Sequence, residues 1–376
     1  MMGKETHPIS NESPTQPGGA ISRLRFEYKK HMRRRFLLIG VMIVVLFILC
    51  VIGLSVGGAS YSIAESWSAL LAGPFYDPAI ADIRRQIIWT LRVPRVLMGV
   101  VSGIGLGISG LILQTVLRNP LASPYTLGIS AAASFGAALG IITKIGVLLA
   151  FFPAAISYDL MIITNSFIFT IICTFLIYFL SKLQTFSVET VVLFGVAMMY
   201  VFEAATSFMQ YIGNPEELAE LVYWMFGSMS KASWIKLEIT LVCVIVCVLL
   251  TYRNAWNFNA LMLGDESAQS TGIHVERVRI TGLFLSSLMT AVIVSLLGPI
   301  GFIGLVAPHV GRMLVGSDHR FLIPVTCVSG AALLVLSDTL SCIILAPAIL
   351  PVGIMTSAVG VPLLIYLITK RRKEHW

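Results

Sequence analysis

Two carboxylates inside long apolar runs are the residues of this sequence that could do chemistry within a membrane. Glu203 and Asp338 each stand alone in an otherwise uncharged stretch. An ionisable group in the bilayer costs about 2.5–3.5 kcal/mol on insertion scales, so it usually faces protein or water. Two hypotheses stay open for each carboxylate: it lines a path for a solute, or it makes a structural contact between helices.

No other group of residues has the spacing of an active site or a metal centre. His309 has no second ligand at metal spacing, so packing at a helix end is the favoured interpretation. Cys243 and Cys247 share a helix face, where free cysteines pack as small hydrophobic residues. The sequence contains neither a nucleophile motif nor a Gly-x-x-x-x-Gly-Lys-Ser/Thr loop. We therefore predict no catalytic residue, metal site or cofactor on this chain.

The composition indicates that these residues belong to a membrane protein. Hydrophobic residues make up 57% of the 376 residues, and charged residues only 12%. A soluble domain has too little interior to bury that much apolar surface. The net charge of +7 comes from short basic clusters between apolar blocks, which is typical of membrane topology rather than of nucleic-acid binding.

The predicted fold is all-α, with ten membrane-spanning helices, since a helix needs about 20 apolar residues to cross the hydrocarbon core. The predicted spans are 36–58, 96–117, 119–143, 160–181, 190–211, 232–252, two within 280–316 (the second short), 321–345 and 350–369. Residues 1–35 are predicted to be a basic tail, disordered over 1–22, and residues 370–376 a second basic tail. Because basic residues flank the first and last spans, both termini are predicted to be cytoplasmic.

This orientation places four arginines on the external side, between the first two spans: Arg84, Arg85, Arg92 and Arg95. Positive charge on the translocated side is contrary to the usual distribution. It indicates a surface that attracts an acidic partner or an anionic ligand. The alternative is that the arginines extend to lipid headgroups.

A polar segment on the predicted cytoplasmic side, residues 258–272, has the features of a docking helix. Asp265 and Glu266 are followed by small residues, as at the start of a helix whose positive end they would stabilise. The segment also keeps apolar side chains, so a short amphipathic helix could fit a groove of a partner. An ordinary connecting loop is the alternative.

Helix-breaking residues suggest an internal repeat. Asn119-Pro120 and Gly298-Pro299 interrupt the pattern at corresponding points of two halves, and such breaks are tolerated where protein or water surrounds them. We predict an inverted repeat of the second to fifth spans against the seventh to tenth. Small residues in the second span, including Gly103 and Gly110, would allow close approach of neighbouring helices.

An ordered set of motifs gives a resemblance to a known family. The motifs are RVPR at 92–95, GISGLILQ at 107–114, RNPLASP at 118–124, YWMFGS at 223–228, LGDE at 263–266, GPIGFIGLVAPH at 298–309, GSDHR at 316–320 and LPVG at 350–353. From about Arg92 to the C-terminus the chain resembles the FecCD-type permeases, which are the type II ABC importers of iron siderophores and cobalamin.

This resemblance implies a homodimer of ten-span subunits, two ATPase subunits that bind ATP and Mg, and an extracytoplasmic solute-binding protein. Arg92 and Arg95 match arginines of the family that contact the binding protein, whereas Arg84 and Arg85 lie outside that motif. Asp338 lies in an Asp-Thr-Leu motif that favours a structural role. The coupling segment that transmits ATPase motion is expected to include Leu261, Leu263, Gly264, Asp265, Glu266, Ala268 and Gly272.

Two positions depart from the family pattern. Cys342 stands where the family usually has Arg, and Ile349 stands where it usually has Glu. The missing arginine would contact the second lobe of the binding protein, so that half of the docking scheme is in doubt. Loss of both charges is consistent with loss of a pair, because a lone survivor near lipid would be poorly compensated.

The function predicted from these observations is import of an iron complex, a ferric siderophore being the commonest cargo of such permeases. Haem, cobalamin and molybdate or tungstate also travel through permeases of this kind. The alternative is an ion-coupled secondary transporter in which Glu203 and Asp338 relay protons or sodium.

Overall fold

The structure, a computed structural model, describes residues 17–57, 61–73, 83–147, 157–184 and 187–371. All regular secondary structure in these ranges is helical, as predicted for an all-α polytopic membrane protein. The chain divides into two compact units, Met1–Val41 and Met42–Trp376. The second unit contains the end of the first helix and all later helices.

The α-helices of the described residues are numbered in chain order. They are α1 (Pro17–Ser55), α2 (Ile63–Leu71), α3 (Ile83–Ile87), α4 (Val93–Val116), α5 (Ile129–Thr143), α6 (Tyr158–Leu183), α7 (Val188–Ile212), α8 (Pro215–Met225), α9 (Trp234–Arg253), α10 (Ala255–Leu261), α11 (Asp265–Ser270), α12 (Val275–Leu297), α13 (Ile303–Val315), α14 (His319–Ile343) and α15 (Val352–Arg371). A π-helical turn, Ile88–Arg92, joins α3 to α4.

In the described ranges, ten apolar helices correspond one to one with the ten predicted spans. Seven are long and apolar enough to cross a membrane: α1, the continuous stretch Ile83–Val116, α6, α7, α9, α12 and α14. Three are shorter apolar helices: α5, α13 and Val352–Leu367 within α15.

Two predicted boundaries were wrong. Helix α1 begins at Pro17, so residues 17–22 are helical rather than disordered; a helix extends readily from a stable span because adding a residue costs less than nucleation. Residues 1–16 and 372–376 of the predicted tails lie outside the described part. The third span begins at Ile129 instead of residue 119, since Pro120 and Pro124 interrupt a helix in the preceding segment.

The short helices α5 and α13 leave irregular backbone inside the fold. At 1.5 Å per residue, the 15 residues of α5 extend only about 22 Å, less than the roughly 30 Å of a hydrocarbon core. The residues just before α5 and α13, Gly128 and Phe302, both have left-handed backbone, with φ of 73° and 66°. Irregular backbone at this depth requires protein or a water-filled cavity around it.

Helix α4 is the centre of the packing, with most of its residues buried. Its glycines allow contact between backbones, as the small residues of the second span predicted. A Cβ added at Gly103 would lie 2.4 Å from the carbonyl oxygen of Gly330 on α14, and one added at Gly110 would lie 1.7 Å from that of Gly304 on α13. A larger residue at either position would force the helices apart.

A reciprocal pair of hydrogen bonds joins α4 to α12. The hydroxyl of Ser109 donates to the carbonyl of Ser286 at 3.0 Å, and the hydroxyl of Ser286 donates to the carbonyl of Ser109 at 3.0 Å. These helices begin the two halves of the predicted inverted repeat. A symmetric contact between them supports the repeat, which remains a prediction.

Candidate translocation cavity and coupling surface

A cavity of about 920 Å³ is bordered by α7, the start of α15 and the irregular segments that precede α5 and α13. One face of α7 supplies a mostly polar stripe at helical spacing: Met199, Glu203, Thr206, Ser207 and Gln210. Both irregular segments contribute wall residues, including Tyr125 and Phe302. The cavity therefore provides the protein-lined surroundings that the broken backbone requires.

The two membrane carboxylates have different surroundings. Glu203 lines the large cavity, whereas Asp338 is buried in an ion pair with Arg95. Arg95 Nε donates to Asp338 Oδ2 at 2.8 Å, and Nη2 donates to Oδ1 at 2.8 Å. This bidentate pair joins α4 to α14, so the geometry favours a structural contact for Asp338, whereas the carboxylate of Glu203 borders open space.

Arg92 and Arg95 both contact groups of their own chain. Arg92 is 6% exposed, donates from Nη1 to the carbonyl of Leu54 at 2.8 Å, and lies 4.8 Å from the ring centre of Tyr61. Arg95 is held by Asp338, as described above. Docking of a binding protein by these arginines stays a prediction, and in this conformation it would require them to leave these contacts.

Arg84 and Arg85, whose role was open, make contacts within the segment that is predicted to be external. Arg84 forms an exposed ion pair with Glu65 at 2.9 Å. Arg85 donates to the carbonyls of Gly73 at 2.7 Å and Ala72 at 2.5 Å. Both arginines thus connect the segment that contains α2 to the start of α3.

The two residues that depart from the family pattern line one small cavity. Cys342 and Ile349 border a space of about 270 Å³ together with Arg92, Arg95 and Asp338. The two positions at which the family usually has a charged residue therefore lie beside the ion pair between Arg95 and Asp338. Sequence reasoning missed this pair, because 243 positions separate its members.

The predicted coupling segment forms two short helices, α10 and α11, joined by a turn at Gly264. Leu261 and Ala268 are buried and anchor the segment, whereas Leu263 is 76% exposed. Glu266 is also exposed. Gly264 and Gly272 have φ of 113° and 84°, values that favour glycine. The segment thus presents an apolar side chain and a carboxylate next to each other on an anchored turn.

Asp265, the first residue of α11, is held by two arginines. Arg279 Nη2 on α12 donates to its two carboxylate oxygens at 2.9 and 2.8 Å. Arg118, just after α4, forms a second ion pair with the same carboxylate. Burial, together with neighbouring Arg279, lowers the pKa of Arg118. The coupling segment is therefore fastened to both α4 and α12.

Arg118 has left-handed backbone, with φ of 43°, which is uncommon for a residue other than glycine. The segment 118–128 that it begins also supplies Ser123, Tyr125 and Thr126 to the large cavity. One short stretch of chain thus contacts the coupling helix at one end and the cavity at the other. In the sequence, the prolines of this stretch indicated a break in a helix but not these two contacts.

The start of α14 anchors the other end of the coupling segment. Asn259 on α10 donates to Asp318 at 3.0 Å, and its side-chain oxygen accepts from the backbone N–H of His319 at 2.9 Å. Hydrogen bonds from Arg320 lower the pKa of Asp318 to about 2. The carboxylate therefore stays ionised at physiological pH and keeps these contacts.

His309 makes the helix contacts that were favoured over metal binding. Its Nδ1 lies 3.3 Å from the carbonyl oxygen of Leu305 and 3.1 Å from Nη2 of Arg312. Within the described ranges, no group of three or more His, Cys, Asp or Glu residues is placed to hold a metal ion.

A cavity among apolar helices, connected to an anchored and exposed polar segment, is the arrangement expected of a transport permease. The model of the FecCD transport family matches residues 44–370, so the chain belongs to the FecCD transport family. It is a permease of the ABC importer class, and this membership sets aside the ion-coupled secondary transporter.

Relatives named for different cargoes are similar to this chain over nearly its whole length. The hemin transport system permease of Yersinia pestis is 34% identical, over 90% of this chain and 97% of that protein. The molybdate import system permease of Haemophilus influenzae is 33% identical, over 87% and 94%. Among solved structures, the chain resembles an inward-facing metal-chelate-type ABC transporter with a TM-score of 0.76 and 30% identity, over 89% of this chain and 99% of that one.

Proposed function

We propose that this chain is the membrane subunit through which an ATP-driven importer takes up an iron complex, with a ferric siderophore as the cargo. The observation that carries the proposal is the connection between the large cavity and the coupling segment through residues 118–128. A motor that displaces α11 would pull on Asp265 and, through Arg118, on a wall of the cavity.

ATP and Mg would be bound by separate ATPase subunits. The exposed Leu263 and Glu266 offer one apolar and one acidic contact for such a subunit, in the manner of a short amphipathic helix that fits a groove. The buried Leu261 and Ala268 would make the turn stiff enough to transmit force.

A second copy of this chain would complete the path. Glu203 and Ser207 line the cavity yet are exposed in the single chain, so the cavity is open along α7. A homodimer with α7 at its two-fold interface would enclose it. The solute-binding protein would dock at the external end, where Arg92 and Arg95 would leave their contacts with Leu54 and Asp338 to meet it.

Reconstitution tests this function directly. The permease, its ATPase subunits and its binding protein would be placed in proteoliposomes, and uptake of radioactive iron as a ferric siderophore would be measured. We expect uptake that requires Mg-ATP and both partner proteins and that persists when a protonophore dissipates the proton gradient. Uptake without the ATPase would contradict the proposal, and ATP-driven uptake of another solute would refute the siderophore assignment alone.

A further inference from the structure

The charge on the wall of the large cavity distinguishes between cargoes that the family membership leaves open. Among the lining residues that the structure describes, Glu203 is charged and none is Lys, Arg or His. The polar remainder of the wall consists of hydroxyl groups and the amide of Gln210. A solute on this path therefore meets one carboxylate from each copy of the chain.

The volume and the apolar residues of the wall indicate a bulky organic cargo. About 920 Å³ lies within the range of roughly 300–1,000 Å³ that drug-sized ligands fill. Met199, Met225, Phe226 and Phe302 supply apolar and aromatic surface, which suits the organic part of a chelate.

Helix ends at the cavity do not reverse the sign of this charge. The first turns of α5 and α13 border the cavity and each carries a partial positive charge of at most roughly half a unit, so that together they do not exceed the unit charge of a carboxylate. At α15, the N–H groups of Val352 and Gly353 donate to the carbonyls of Gly227 and Phe226 at 3.1 Å each. That positive end is therefore already paired with the end of α8, whereas Glu203 places a full charge on the middle of α7.

We propose that Glu203 is a specificity-determining residue, which makes the path selective for bulky metal chelates of neutral or positive charge and unfavourable for oxyanions such as molybdate. This inference rests on the proposed function, because it assigns the large cavity to the solute path. Among ferric siderophores, the inference favours chelates such as trihydroxamates over strongly anionic tris-catecholates.

Charge-selective labelling measures this property without a known cargo or any partner protein. Ser207→Cys places a thiol on the cavity wall, one helical turn after Glu203. The full chain in lipid nanodiscs would react with methanethiosulfonate reagents of similar size, one cationic and one anionic, with rates normalised to those for a free thiol in solution. The chain without the introduced cysteine gives the background from its own six cysteines.

We expect the cationic reagent to react faster by a factor on the order of ten. A carboxylate a few ångströms away in a wet cavity raises the local concentration of the cation severalfold and lowers that of the anion severalfold. Adding Glu203→Gln should bring the ratio close to one. Glu189→Gln, the same change on an exposed residue of α7 away from the cavity, should leave the ratio unchanged. A cationic-to-anionic rate ratio of one or below in the Ser207→Cys chain would overturn the inference. A ratio that stays the same when Glu203→Gln is added would also overturn it.

Uptake in the reconstituted importer separates this inference from the proposed function. Uptake of a cationic ferric trihydroxamate that falls severalfold in Glu203→Lys would support the inference. ATP-driven uptake of molybdate at a rate equal to or above that of the trihydroxamate would overturn it while leaving the importer function intact. If no solute is taken up in an ATP-driven manner, the importer function is contradicted. The labelling ratio by itself would then test the inference on the charge of the cavity.

Discussion

At the scale of single residues, the buried pair between Arg95 and Asp338 is the contact with the largest consequence for stability. Both side chains are removed from most of the solvent, with 15% and 9% exposure. Loss of one partner from such a pair leaves an uncompensated charge, which costs about 3–5 kcal/mol in buried cases. An exposed pair such as Arg84–Glu65 contributes far less, because solvent screens both charges.

Arg95→Ala should therefore lower the free energy of unfolding by about 3 kcal/mol, as measured by titration with a denaturing detergent. The double variant Arg95→Met, Asp338→Leu should recover most of the loss, since it removes both charges. Arg84→Ala is the matched control and should change the free energy of unfolding far less than Arg95→Ala, because its ion pair is exposed. Equal stability of Arg95→Ala and Arg84→Ala would show that the Arg95–Asp338 pair is not a structural contact.

Asp265 offers a second prediction at the residue scale. Asp265→Asn removes the charge that holds Arg279 and Arg118, so α11 should lose its connection to α4 and α12. We expect the number of solute molecules carried per ATP hydrolysed to fall severalfold in proteoliposomes, while the ATPase subunits still hydrolyse ATP.

Glu276→Gln is the control for that change, because it neutralises an exposed carboxylate in the first turn of α12. It should leave the transport ratio unchanged. Full coupling in Asp265→Asn would mean that the ion pairs with Arg118 and Arg279 transmit no force.

At the scale of elements, contact between the backbones of α4, α13 and α14 determines how the helices pack. Gly110→Ala would place a Cβ 1.7 Å from a backbone oxygen of α13, which a backbone cannot accommodate without moving. We expect a loss of several kcal/mol, in line with overpacked cores, seen as a lower yield of folded protein in detergent. Gly40→Ala on α1, with nothing within 4 Å of the new Cβ, should have little effect.

The position of α5 and α13 beside the large cavity also explains why these two helices are short. Each follows an irregular segment that borders the large cavity, and a full-length helix would remove the wall that these segments form. The same two helices occupy equivalent places in the predicted inverted repeat. A two-fold superposition of α4–α7 on α12–α15 in an experimental structure is the measurement that tests the repeat.

At the scale of the whole molecule, the orientation in the membrane is the property most open to test. The distribution of basic residues predicts cytoplasmic termini, which puts Glu216 outside and Glu276 inside. Both are exposed carboxylates. In intact cells, a membrane-impermeant thiol reagent should label Glu216→Cys and spare Glu276→Cys, after subtraction of the native cysteines. The reverse pattern would invert the orientation and place the coupling segment on the wrong side for an ATPase.

The number, order and approximate limits of the apolar helices could be read from the sequence, because the cost of placing a residue in lipid depends on that residue and its immediate neighbours. The polar segment 258–272 could be located for the same reason, because its polarity is local, whereas its role in coupling stays a prediction that the family resemblance implies. The start of α5 was misjudged, since an apolar composition does not distinguish a helix from an irregular segment enclosed by protein.

Only the tertiary structure decided what the charged residues do. Glu203 and Asp338 look alike in sequence, yet one faces a cavity and the other is bound by Arg95. The contacts of Asp265 with Arg118 and Arg279 likewise join parts of the chain far apart in sequence. Such partners are set by which helix faces meet when the chain packs, and that arrangement depends on all the helices together rather than on any one stretch of residues.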